Sequence, residues 1–133
     1  MIAALAFNMI GGNEAKAQVT TMYSQYSLSV DTVTSAVKYL TPTSTISGYR
    51  KVLTVQFLAT EISGTTAGTA QVQGSLDGTN WYNLGSAYTL TDVASQCTSF
   101  SFTDWASLYI RLAVTPSGTM SDKIYAKFLT RNP

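Results

Sequence analysis

Residues 108–131 read LYIRLAVTPSGTMSDKIYAKFLTR, and their spacing decides what kind of fold the chain builds. In the first half Leu108, Ile110, Leu112 and Val114 alternate with Tyr109, Arg111 and Ala113. Successive side chains of an extended strand point to opposite faces, so period two gathers the aliphatics on one side. In the second half Ile124, Ala126 and Phe128 share one face, with Tyr125, Lys127 and Leu129 opposite. The intervening TPSGTMSD is rich in turn formers, so the local reading of 108–131 is a β-hairpin.

The same period extends upstream. KVLTVQFLATEI (51–62) is β-branched and aromatic, bounded by Gly48 and Gly64. Its faces, Leu53-Val55-Phe57-Ala59 and Val52-Thr54-Gln56-Leu58, are both fairly apolar, which places it near the middle of a sheet. In TAQVQGSL (69–76), Ala70, Val72, Gly74 and Leu76 are expected inward. Further strands are expected near 20–30, 36–40, 86–90 and 97–103, with Cys97 as a small buried apolar residue. No window sustains apolar spacing at i, i+3, i+4 and i+7, and only the leader and 29–40 offer weak helix candidates. Parallel strands need crossover connections of a dozen or more residues, which the turn spacing does not leave. The expectation is an all-β antiparallel sandwich or jelly roll of about seven or eight strands.

Composition narrows the chemistry. The chain has 133 residues, enough for one domain with a real core. Charged residues are only 11%, so the polar surface is built from Ser, Thr, Asn, Gln and Tyr. A formal net charge of +1 provides no field to attract nucleic acid or an anionic membrane. There is no histidine, which removes His-based triads, His-ligated zinc and imidazole bases. The single cysteine excludes an intrachain disulfide. Asp31, Glu61, Asp77, Asp92, Asp104 and Asp122 are scattered, and none forms a recognisable acid–base pair. No catalytic residue, metal site or cofactor is expected, and the chain reads as a non-enzyme.

Residues 1–18, MIAALAFNMIGGNEAKAQ, differ from the rest. An apolar run carrying Ile2, Leu5, Phe7, Met9 and Ile10 precedes a glycine pair and then Ala15-Lys16-Ala17. That order fits the back half of an export signal cleaved after Ala17, though the basic start of such a signal is missing. It equally fits a retained assembly arm that docks on a neighbouring subunit. The run is too short to span a bilayer, which needs about 20 residues. Residues 19–133 are expected to form one sandwich domain.

Between two strand-like stretches lies SLDGTNWYNL (75–84). Asp77 can accept hydrogen bonds from the loop's own amides, and Gly78 or Asn80 can take positive φ. On that reading Trp81 plugs the junction of sheet and loop. The functional alternative makes Asp77, Asn80, Trp81 and Tyr82 a surface for ligands, extended by Tyr109 and Tyr125. Stacked aromatics with neighbouring amides suit a glycan, and eight Tyr and two Trp also suit protein contacts.

TAQVQGSLDGTNWYNLGS, followed by SFTDWASLYIRLAVTPSGTMSDKIYAKFLTRNP, resembles a small β-sandwich found in virion proteins of tailed bacteriophages. The shared features are a QGSxDGTxW hairpin, a YIRLxVTxSGT strand and a final strand ending near RN. The resemblance covers residues 69–131 and transfers no catalytic residue. It implies a structural subunit of a virion, such as a capsid decoration, minor capsid or tail protein, with itself and other virion proteins as partners. The alternative is a secreted bacterial surface, filament or carbohydrate-binding module with a glycan partner.

Overall fold

The computed structural model describes residues 25–42, 52–103 and 107–131. The apolar run carrying Ile2, Leu5, Phe7, Met9 and Ile10 lies outside these residues. The described strands are β1 (Gln25–Val33), β2 (Lys38–Leu40), β3 (Val52–Gly64), β4 (Gly68–Ser75), β5 (Tyr82–Leu90), β6 (Ser95–Phe102), β7 (Tyr109–Pro116) and β8 (Met120–Arg131). They form two four-stranded sheets, I in the order β1-β8-β3-β6 and II in the order β2-β7-β4-β5. Every pairing is antiparallel.

This order is that of a jelly roll. Strands 1 and 8, 2 and 7, 3 and 6, and 4 and 5 pair, as in one long antiparallel ribbon folded over itself, with successive pairs falling in alternate sheets. Of the described strands only β4 and β5 are both consecutive in sequence and paired, so the SLDGTNW segment is the tip of the ribbon. The 108–131 hairpin expected from sequence is therefore corrected. Its halves, β7 and β8, lie in different sheets, and Ser117–Thr119 carries the chain from one layer to the other. The inward face of each half seeks its own sheet partners. β8 pairs with β1 and β3, and β7 with β2 and β4.

The inward residues of both layers make one core. Leu53, Val55, Phe57 and Ala59 of β3 and Ile124, Ala126 and Phe128 of β8 meet Ala70 and Val72 of β4 and Ile110, Leu112 and Val114 of β7. β3 is central, flanked by β8 and β6, which explains why both its faces are apolar. Burying aromatic side chains such as Phe57 and Phe128 contributes roughly 1.5–3 kcal/mol each. Leu76 and Leu108, expected inward, are 62% and 68% exposed because β4 ends at Ser75 and β7 starts at Tyr109.

Cys97 is likewise corrected: it is exposed. In β6 the inward parity belongs to Gln96, Thr98, Phe100 and Phe102. Buried Gln96 ties down the preceding turn, donating to the Thr91 carbonyl (2.7 Å) and accepting from the Thr91 N–H and the Tyr88 hydroxyl (both 3.1 Å). The 29–40 stretch, a weak helix candidate, is the end of β1, a bend and β2. No helix among the described residues is long and apolar enough to cross a membrane.

Candidate functional site

The ribbon tip is built by hydrogen bonds from Asp77. Its Oδ1 accepts from the backbone N–H of Thr79 and of Asn80 (both 2.8 Å) and from the Ser75 hydroxyl (2.9 Å). Its Oδ2 accepts from the Asn80 side-chain amide (2.8 Å). These donors, led by the Asn80 and Thr79 amides, hold the Asp77 carboxyl well below the ordinary carboxylate range. The Ser75 oxygen in turn accepts from the Gly78 N–H (2.9 Å). Asp77 and Asn80 thus hold the turn, and Gly78 takes the positive φ (77°) expected of it.

That turn folds onto the outer face of sheet II. A Cβ on Gly78 would lie 3.5 Å from the Tyr109 ring, so the loop backbone runs along that ring. Trp81, leaving the turn, lies on Arg111, whose guanidinium carbon is 4.0 Å from the Trp81 ring centroid. The ring centroid of Tyr39, from β2, lies 3.8 Å from the same carbon. A cation close to two rings draws on both π faces, a contact worth about 0.5–2 kcal/mol at each ring. Register explains the meeting. Arg111 opposes Gln73, which opposes Asn83, and Tyr39 opposes Ala113, so all these positions share the outward parity.

Amides complete the face. Arg111 Nε donates to Gln73 Oε1 (2.8 Å), and Gln73 Nε2 donates to Asn83 Oδ1 (3.1 Å). Between Ala70 and Val72 the β4–β5 register shifts, and Gln71 Nε2 donates to the freed carbonyls of Leu84 (3.0 Å) and Gly85 (3.2 Å). Tyr82 shares a 2.6 Å hydrogen bond with Ser107, whose hydroxyl occupies the space that a side chain on Gly74 would fill.

Of the residues singled out from sequence, Asp77, Asn80, Trp81, Tyr82 and Tyr109 gather at one end of sheet II. Tyr125 does not join them. It lies on the outer face of sheet I, beside Val30 of β1 and Leu58 of β3, with Lys123 5.7 Å from its ring. Sequence reading missed Arg111, Tyr39 and Gln73. The available signal was Arg111 itself, a lone charge at an outward position of an otherwise uncharged strand.

Two of the scattered acids do converge, at the other end of the sandwich. Thr66 donates its hydroxyl to Asp122 (2.8 and 3.0 Å) and its N–H to Asp92 (2.9 Å). Asp122 and Thr66 are buried, so this pair braces loops and lines no groove. Among the described residues no cluster of His, Cys, Asp and Glu could hold a metal.

No family model matches the chain. No curated protein matches it either. Solved structures with similar strand arrangements include a chain of the disulfide-linked pili of Bacillus endospore appendages, at 9% identity and a TM-score of 0.45, covering 84% of this chain and 90% of that one. A xylan-binding domain from Paenibacillus barcinonensis is similar at 9% identity and a TM-score of 0.45, over 86% of this chain and 89% of its own. Likeness at this level concerns strand arrangement alone and is no guide to what this chain binds.

Proposed function

We propose that this protein is a non-catalytic surface module that binds a saccharide on the outer face of sheet II. The observation that carries the reading is the Tyr39–Arg111–Trp81 stack, set on solvent-facing positions beside Gln73 and Asn83. Tyr39 is 50% exposed, so part of its ring is available to a partner. Ring faces take the C–H surfaces of a sugar, and side-chain amides exchange hydrogen bonds with its hydroxyls. A sheet supplies this platform ready-made, which keeps the ordering cost of binding small. The test is a glycan array on the native protein and on Trp81→Ala and Tyr39→Ala. Binding lost in both variants supports the face, whereas unchanged binding, or no glycan bound by the native protein, removes it.

A second reading, a virion structural subunit, is favoured by the resemblance over residues 69–131 and by the outer face of sheet I. There Leu28, Val30 and Leu129 stand exposed near Tyr125, with Lys123 and Lys127 on the same face, a mixed apolar and basic surface suited to a neighbouring subunit. In this reading the apolar run at 1–10 acts as an assembly arm and the protein resides in a particle. In the first reading the protein is exported. Size measurement with and without residues 1–17 separates the two: oligomers that dissociate on truncation favour the particle, and an unchanged monomer counts against it.

A further inference from the structure

We propose that the saccharide taken by sheet II is acidic, with a carboxylate held on the open edge of Arg111. This rests on the reading of that face as a saccharide site and adds the class of ligand. In a chain with eight Lys and Arg, the four strands of sheet II carry only Lys38 and Arg111. Lys38 faces Asp31 at 3.8 Å. Arg111 has no ion pair among the described residues, although it sits near the middle of the face. The nearby carboxylate of Asp77 has both oxygens engaged by Ser75, Thr79 and Asn80.

The guanidinium is held in a fixed pose. The rings of Tyr39 and Trp81 have their centroids 3.8 and 4.0 Å from its central carbon, and its Nε is tied to Gln73. What remains is the in-plane pair of terminal nitrogens, the fork that matches a carboxylate bidentately. The rings and Gln73 order this side chain before any ligand arrives, so little rotamer freedom is lost on binding.

The polarity of the amide row follows from the same residue. Arginine has no acceptor, so Gln73 must turn its oxygen toward Arg111 and its NH2 toward Asn83 Oδ1. Asn83 is then left with its Nδ2 hydrogens for solvent or ligand. The row Arg111–Gln73–Asn83 therefore leaves free N–H groups at the guanidinium and at Asn83 Nδ2, which suit an anion's oxygens. Gln71, whose amide nitrogen is engaged by the β5 carbonyls, keeps an oxygen for a sugar hydroxyl one row away.

The experiment is isothermal titration of the full chain with polygalacturonate, alginate and hyaluronate. Each is compared with its methyl-esterified form, which keeps the backbone and removes the charge. At least one acid chain is expected to bind about tenfold more tightly than its ester, the size of one charge-assisted bidentate contact. The preference should fall with added salt. Arg111→Gln should abolish it and Arg111→Lys restore part. Asn83→Asp, an exposed change that sets a carboxylate beside the donor row, should also shrink it if Arg111→Gln unfolds. Equal affinity for acid and ester, both lost in Trp81→Ala, overturns the acidic ligand and leaves the saccharide site standing. Failure of all acid chains while neutral glycans bind overturns it too, and failure of every glycan overturns both.

Discussion

Thr66→Val tests the polar brace at the end of the sandwich opposite the ribbon tip. Thr66 is 2% exposed and Asp122 0%, and the threonine hydroxyl is the hydrogen-bond donor that reaches the Asp122 carboxyl. Valine keeps the shape and the backbone N–H to Asp92 but removes that donor. An acceptor left buried without a partner costs about 1–3 kcal/mol, with the upper end expected for a carboxyl group. We expect Thr66→Val to lose about 3 kcal/mol, read as a lower urea midpoint at unchanged m-value. At roughly 3–5 °C per kcal/mol for a chain of this size, melting falls by on the order of 10 °C. Asp122→Val alone strands the Thr66 hydroxyl and should cost about 1–2 kcal/mol. The double variant replaces both partners by apolar groups, so it should recover about 2 kcal/mol of the summed losses. A Thr66→Val protein within about 0.5 kcal/mol of the native one, or strict additivity in the cycle, refutes the brace.

Two further outcomes follow from the turns. Gly64 has φ 81°, and a Cβ there would sit 2.0 Å from the Thr119 carbonyl oxygen; Gly64→Ala should cost roughly 2–4 kcal/mol in denaturation. Gly118 has φ 106° with nothing within 4 Å, so Gly118→Ala should cost about 1 kcal/mol, and equal losses at the two sites would refute the clash. The Asp77 carboxyl, lowered from 3.8 by the turn amides, should titrate in NMR well below that value. Because the folded value is depressed, its contribution is full above the unfolded value of 3.8 and is lost as pH falls through the folded one. A carbon-shift inflection at 3.8 or above removes the role assigned to it.

The strands were legible because alternation is local: β3, β4, β7 and β8 can be read from Leu53 to Ala59, Ala70 to Gly74, Ile110 to Val114 and Ile124 to Phe128. Layer assignment was not. Sequence proximity made β7 and β8 look like a hairpin, since Ser117-Gly118 is as good a corner between sheets as within one. Cys97 was misplaced for a related reason. Its strand alternates small polar residues with Phe100 and Phe102, and the parity that buries the phenylalanines exposes the cysteine. At the ribbon tip, Asp77, Gly78 and Asn80 carry turn chemistry that any reader of the sequence can find. The stack above it depends on Tyr39, which is remote in the chain and arrives only through the β2–β7 register.

The position of β8 bears on how the protein is made. This late-synthesised strand lies between β1 and β3 in sheet I, and among the described residues β1 has no other strand partner. On a ribosome adding about 5–20 residues per second, β1 and β3 wait on the order of ten seconds for the segment that joins them. Until then they expose bare edges and apolar side chains, a period in which nascent chains on one message can stick to one another. Expression yield should therefore respond to chaperone supply and to slower translation ahead of residue 120 more than to changes on the finished surface.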